Sequence, residues 1–207
     1  MLIFVSSIGR SGTRFLSELF NDTTNIPSYH IPSPQCTGKT FYDYNNFIEN
    51  NELKLKKKKI KNSIKNNCYF ESSQLFLRCF VDEMIELKKE LNIPLCVIHV
   101  TRDPLECAKS YTNRKSTPGV TKWRWRPSLD FKRNYYKIEK KGLNTFQLNL
   151  WDWIENEIRF NHYKNNFDKI YDLNFEDYGD ESKLIGLFEY FNINVNKDKI
   201  KGDKFTE

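Results

Sequence analysis

Two short stretches carry side chains whose types and spacing suit the handling of an anion. The first, "GRSGTR" at residues 9–14, gathers two glycines, a serine, a threonine and two arginines. Gly9 and Gly12 permit positive φ and close backbone approach. Arg10 and Arg14 bring fixed charge, and Ser11 and Thr13 bring hydroxyl donors. The second, "TRDPLECAKSY" at residues 101–111, sets Ser110 eight residues after Arg102, with Asp103, Cys107 and Ser110 near one helical face. A guanidinium and a hydroxyl so placed can converge on one phosphate or sulfate. An ordinary strand–helix turn with a Ser or Thr cap is the plain alternative for the first stretch.

The elements around these stretches decide where they point. Residues 2–5 form a fully apolar run that predicts a buried strand. Phe15, Leu16, Leu19 and Phe20 recur at helical spacing, so a helix is expected to start between residues 11 and 13. Strand, glycine-bearing loop and helix N-terminus together make an anion site, because the first amides of a helix lack partners and face the positive end of its dipole. "LCVIHV" at residues 95–100 predicts a second buried parallel strand, followed by Asp103 as a cap and Pro104 in the first position of a helix reaching about Asn113. Ligands of open α/β sheets bind at the carboxyl ends of the strands, so the two anion stretches are expected to share one rim. That implies a ligand with two separated anionic groups. Gly12 is followed by Thr13 and Arg14, and the one Gly-Lys-Thr, at residues 38–40, has Ser33 where a Walker A loop needs its first glycine, which disfavours a Walker A loop and an ATP-hydrolysing machine.

Elsewhere, Ile26, Tyr29 and Ile31 lie in a short extended segment stopped by Pro32 and Pro34, with His30 near its end. Residues 68–73 read as a strand ending in Glu71, Ser72 and Ser73. Residues 76–91 read as one helix with Phe76, Phe80, Met84, Leu87 and Leu91 on its apolar face. The run "LKLKKKKIKNSIK" is expected to be a solvated helix or loop, the alternative being a contact face for an acidic substrate or membrane surface. Residues 115–145 are basic and irregular; Trp123 and Trp125 could clamp an adenine or a sugar, or pack beneath a loop. A long helix is expected over residues 146–163, a strand within 169–175 and a last helix over 181–191. Trp151 and Trp153 are too close in sequence to share a helix face. His99, inside an apolar strand, reads as a core histidine, and no role is expected for His162. Alternating strands and helices predict an α/β protein, three-layer α/β/α with a mainly parallel central sheet, as one domain over residues 1–207.

Composition narrows the partners. Lys and Arg number 33 against 27 Asp and Glu, a net +6 that suits an anionic ligand without demanding nucleic acid. Five cysteines with no C-x-x-C spacing indicate neither a disulfide framework nor a zinc site, and no metal is expected. The opening apolar run is too short for a signal peptide, and no run approaches the roughly 20 residues of a membrane helix. A cytoplasmic setting is the resulting expectation.

At this point the sequence resembles the sulfotransferases that use 3′-phosphoadenosine-5′-phosphosulfate (PAPS). "GRSGTRFLSELF" is similar to their 5′-phosphosulfate loop, with its "KSGTT" and "KGGTR" forms, and "TRDPLECAKSY" to their 3′-phosphate segment. "YFESS" stands where relatives carry a Glu-Ser/Thr segment. "WDWIEN" resembles a W-x-W-x-x-N helix of bacterial members, and "LNFEDY" their R-x-E-D-L. The resemblance runs from residue 2 to about 193.

It implies a P-loop-like sulfotransferase fold and in-line, metal-independent transfer of a sulfuryl group from PAPS, leaving PAP, to a hydroxyl of a glycan or other small acceptor. It implies that Gly9, Arg10, Ser11, Gly12, Thr13 and Arg14 cradle the 5′-phosphosulfate, and that Arg102 and Ser110 hold the 3′-phosphate. The family's base is either the histidine of a "THLP"-like segment, matched here by His30 in "YHIP", or a glutamate near this place, for which Glu71 is the candidate. Many relatives carry lysine where this chain has Arg10. An arginine can stabilise charge on the leaving oxygen but does not give up its proton. Two other readings stay open: a P-loop kinase of a small metabolite, and a non-catalytic member that binds a polyanion through the lysine run and the "KWRWR" loop.

Overall fold

A computed structural model describes residues 1–119, 125–139 and 141–202. Five parallel strands stand in the order β2-β3-β1-β4-β5: β1 Leu2–Ser7, β2 Ser28–His30, β3 Tyr69–Ser72, β4 Leu95–Thr101 and β5 Lys169–Asn174. The connecting helices are α1 Thr13–Thr23, α2 Lys39–Asn45, α3 Asn51–Ser63, α4 Val81–Leu91, α5 Pro104–Asn113, α6 Thr145–Tyr163 and α7 Glu181–Tyr190. The fold is α/β with helices flanking an all-parallel sheet, as the alternation of elements predicts.

Strict alternation along the central strands makes the layers. Leu2, Phe4, Leu95 and Val97 face one apolar cluster, built with Phe76, Phe80, Met84 and Leu87. Ile3, Val5, Cys96, Ile98 and Val100 face the other, built with Leu16, Phe20, Leu184 and Phe188. Every residue of β1 is buried, which is why a parallel strand covered on both sides reads as an unbroken apolar run. Stacked rings fasten the layers: Phe4 on Phe76 at 4.6 Å and Phe20 on Phe70 at 3.8 Å between centroids.

The sheet order fixes the position of the rim. From β1 the chain departs towards β2 and β3, whereas from β4 it departs towards β5, so the connections diverge between β1 and β4. Ser7 pairs with Val100 in register, which sets the loop after β1 and the residues after Thr101 at the same sheet edge.

Two expectations need correction. The helix expected over residues 76–91 is broken into a π-helical turn, Phe76–Phe80, and α4. The break lies at Phe80, whose φ of −146° leaves the helical range. The Arg78 carbonyl is taken by the Asn45 side chain at 3.0 Å, and its guanidinium runs inward to Asp152 at 2.9 Å. A wide turn serves that inward reach. The lysine run is a helix, α3, capped by Asn50 on the Glu52 amide, but it is not uniformly solvated. Lys56 is 2% exposed and bonds Glu71 at 2.8 Å. Lys54, Lys57 and Lys61 also have carboxylate partners, in Glu49, Glu86 and Glu90. Trp123 and its neighbours 120–124 lie outside the described residues. No helix among the described residues is long and apolar enough to cross a membrane.

Candidate functional site

A cleft of about 720 Å³ opens at the divergence between β1 and β4. Arg10, Gly12, Thr13 and Arg14 line it from the first stretch, and Arg102 and Ser110 line it from the second. His30, at the end of β2, borders the same space. Sequence reasoning placed both stretches on one rim, and the structure brings them into contact. The Arg102 guanidinium donates to the Arg10 carbonyl at 3.0 Å, and Arg10 Nε reaches Ser110 Oγ at 3.4 Å.

The loop is held from behind by its own carbonyls. The Ile8 carbonyl accepts from Ser11 Oγ at 2.5 Å, that of Ser11 from the Tyr178 hydroxyl at 2.9 Å, and that of Thr13 from Ser72 Oγ at 2.6 Å. The Gly9 carbonyl lies 3.9 Å from Cys107 Sγ, and that of Gly12 accepts from the Leu16 amide. With Arg102 on the Arg10 carbonyl, every carbonyl from Ile8 to Thr13 has a donor. Partners drawn from β3, α5 and the turn after β5 thus turn the acceptors out of the loop. No side chain caps α1, whose first-turn amides are left at the cleft. Arg10 and Gly12 both adopt positive φ, 72° and 69°, so glycine suits position 12 while Arg10 is held there by its contacts.

Not every expected residue touches the cleft. Ser11 is fully buried and spends its hydroxyl on the Ile8 carbonyl, so its side chain shapes the loop and presents no donor to a ligand. Gly9 lies beneath the lining; a Cβ there would come within 2.2 Å of both Gln74 Oε1 and the Tyr111 hydroxyl, which only glycine avoids. Glu71 is corrected outright. It is 0% exposed, bonded to Lys56 at 2.8 Å and accepting from the Tyr69 hydroxyl at 2.7 Å, and it does not border the cleft. Its position on β3 turns it into the layer beneath α3, and burial pushes its carboxyl up.

His30 has the geometry of a proton acceptor. Its Nδ1 lies 3.2 Å from the Ser72 carbonyl, which can only accept, so Nδ1 carries the hydrogen and Nε2 keeps its lone pair. Partial desolvation, with a smaller effect of Arg14, pulls its pKa below the usual histidine value, so the ring is neutral near pH 7.

Further groups complete the lining: Gln74, Glu106, Lys109, Arg114, Trp125 and Phe175. Five of the lining residues are arginine or lysine and one is a carboxylate. Partial burial and the charges of Arg114 and Arg102 pull the Arg10 pKa down, the mark of cations gathered with too few anions among them. Glu106, Lys109, Ser110, Asn113 and Arg114 recur at spacings of three and one along α5, a polar face that could have been read from the sequence once Ser110 was singled out. Phe175, against which the Arg102 guanidinium stacks at 4.4 Å, comes from β5's end and had no local signal.

Trp153 donates to the Arg102 carbonyl at 3.1 Å, and Trp151 to the Tyr136 carbonyl at 2.9 Å, so the two tryptophans take different sides of α6. His99 stacks on Phe160 at 3.7 Å between Asp172 and Glu157, a structural position away from the cleft lining. No family model matches the chain, and no curated protein matches it.

Proposed function

We propose that the chain is a sulfotransferase that uses PAPS to sulfate a hydroxyl of a glycan or other small acceptor. The observation that carries the reading is that Arg10's loop and the Arg102–Ser110 segment border one cleft and bond to each other. A ligand with two separated anionic groups needs such a pair of cationic sites. The donor set fits a nucleotide carrying a phosphosulfate and a phosphate: helix amides, the guanidinium groups of Arg10, Arg102 and Arg114, and a serine hydroxyl. The bare main chain at Gly9 also lets polar side chains close over the loop.

When bound, PAPS supplies an activated sulfuryl group. Arg10, Gly12, Thr13 and Arg14 would hold its 5′ end, and Arg102 with Ser110 its 3′-phosphate. His30 Nε2 takes the proton of the acceptor hydroxyl, a contribution of about 10²–10⁴-fold in rate. Arg10 neutralises charge on the leaving side and keeps its own proton. The loop carbonyls are already engaged, so the amides need no reorganisation at the moment of reaction.

The rival reading as a polyanion binder is not favoured by α3, since Lys54, Lys56, Lys57 and Lys61 are matched by carboxylates. Calorimetry with PAP and with ATP–Mg²⁺, followed by transfer of label from ³⁵S-PAPS to a panel of hydroxylated acceptors, tests the proposal. Binding of PAP in preference to ATP–Mg²⁺, with labelled product, supports it. Tight ATP–Mg²⁺ binding without PAP binding overturns it in favour of a kinase.

A further inference from the structure

The Tyr111 hydroxyl has no hydrogen-bond partner among the described residues, although the side chain is only 2% exposed. The residue follows Ser110 on α5 and lines the cleft. It cannot turn to find a partner. The buried Arg126 guanidinium lies 3.8 Å from its ring centroid, and is itself fixed by Asp152 at 3.0 Å and by the Ser116 carbonyl and hydroxyl at 3.1 Å each. A buried hydroxyl left in this state is costly in the free protein and is completed by whatever occupies the site.

Its direction is marked by Gly9. A Cβ built there would lie 2.2 Å from the Tyr111 hydroxyl and 2.2 Å from Gln74 Oε1, so the two polar ends meet over the start of the loop with no room between them and the main chain, and a ligand approaches them from the cleft that both residues line. The Gln74 carboxamide also makes no hydrogen bond to a described residue, and can turn its Nε2 to the cleft. The surroundings say what this part of the cleft accepts. Arg10, Arg102 and Arg114 border the cleft, which excludes a cation. A guanidinium over the tyrosine ring draws electron density from it and favours donation by the hydroxyl.

We propose that the Tyr111 hydroxyl and the Gln74 carboxamide form a neutral donor pair that binds a terminal oxygen of a sulfuryl or phosphoryl group. Neutral donors hold such an oxygen without adding to the repulsion among the arginines. Both residues would touch the ligand directly; Gln74 lies outside the two stretches that resemble known anion sites, and Tyr111 is the last residue of the second. The naming of the ligand rests on the PAPS reading above.

The test is Tyr111→Phe, with Gln74→Ala as the variant that leaves the floor packing intact. Each is melted without ligand and titrated calorimetrically with PAPS and with PAP. Tyr111→Phe is expected to melt at or above the wild-type temperature, because a partnerless hydroxyl contributes no stability, and to bind about ten- to a hundredfold more weakly. Gln74→Ala is expected to lose about three- to tenfold. Weakening with PAPS alone assigns the pair to the sulfuryl oxygens, and weakening with both nucleotides assigns it to the 5′-phosphate. Affinity within twofold of wild type for both nucleotides in Tyr111→Phe overturns the proposal, as does a melting temperature lower by several degrees. If the wild type binds neither nucleotide, the donor reading falls together with this one; if it binds and Tyr111→Phe binds equally, only this one falls.

Discussion

Arg102 donates its guanidinium to the main-chain carbonyl of Arg10 at 3.0 Å, across 92 residues of sequence. The second stretch therefore holds the first in place as well as bordering the same cleft. On the proposed reading, loss of Arg102 would remove a charged contact to the nucleotide and release the loop at a position of positive φ. Arg102→Ala is expected to raise the Kd for PAP, and the apparent KM for PAPS, by roughly a hundredfold, as for a charge-assisted hydrogen bond lost with its support. Ser110→Ala, which forfeits a neutral hydroxyl, is expected to cost about fivefold. Arg102→Lys does not restore binding, since an ammonium cannot serve the carbonyl and an anion with a planar fork. Calorimetry on the three variants reads the order directly; equal effects of Arg102→Ala and Ser110→Ala would refute it.

The Lys56–Glu71 pair is a structural element and not part of the site. Both side chains are at most 2% exposed, so removing the cation leaves a buried carboxylate without its counter-charge. Lys56→Ala is expected to destabilise the fold by about 3–5 kcal/mol. The deficit shrinks as pH falls, because protonation of Glu71, whose pKa burial already raises, removes the unpaired charge. Chemical denaturation at pH 5 and pH 8 measures both effects. The double variant Lys56→Met, Glu71→Leu recovers most of the loss, and its PAP affinity stays at the wild-type level because neither residue borders the cleft.

What the sequence revealed follows from how local each signal is. Glycine spacing, the Asp103–Pro104 helix start and the apolar runs of β1 and β4 are set by a few neighbouring residues, and all stand where expected. The Ser11 hydroxyl and the Glu71 carboxylate point away from the cleft for one reason. Both have the right chemistry near the right place, but a side chain's direction along a strand end or loop depends on partners far away, Ile8's carbonyl in one case and Lys56 in the other. Lys56 itself was hidden by the charge run around it. The grouping of Gln74, Tyr111 and Gly9 joins three elements and has no sequence period at all.

His99 gives the fold a pH dependence of definite sign. Burial pulls its pKa down, but ion pairing with Glu157 at 3.2 Å and Asp172 at 3.1 Å outweighs that, and the net shift is upward. A group whose folded pKa is raised stabilises the fold fully below its unfolded value, about 6.5, and loses that contribution as pH rises through the folded value. Stability is therefore expected to decline from pH 6 towards pH 8 by an amount that disappears in His99→Gln. Denaturant midpoints of the two proteins across that range decide it; parallel curves would remove His99 from the account.

If the chain transfers a sulfuryl group as proposed, His30 gives catalysis the opposite dependence. Its Nδ1 hydrogen faces the Ser72 carbonyl, so only Nε2 can accept the acceptor's proton, and only while the ring is neutral. Desolvation lowers its pKa, so the neutral form persists to a pH below the ordinary histidine value. The rate constant kcat is expected to be flat near pH 7 and to fall as pH drops through that lowered value, tenfold per unit once the ring is charged. His30→Ala is expected to lower kcat by about 10²–10⁴-fold and to leave PAP affinity near that of the wild type, because His30, at the end of β2, is not among the residues proposed to hold the nucleotide. Its pH–rate profile should lose the acid limb. Glu71 cannot substitute, being bonded to Lys56 and Tyr69 away from the cleft, so retention of both kcat and the limb in His30→Ala would mean that another group takes the proton.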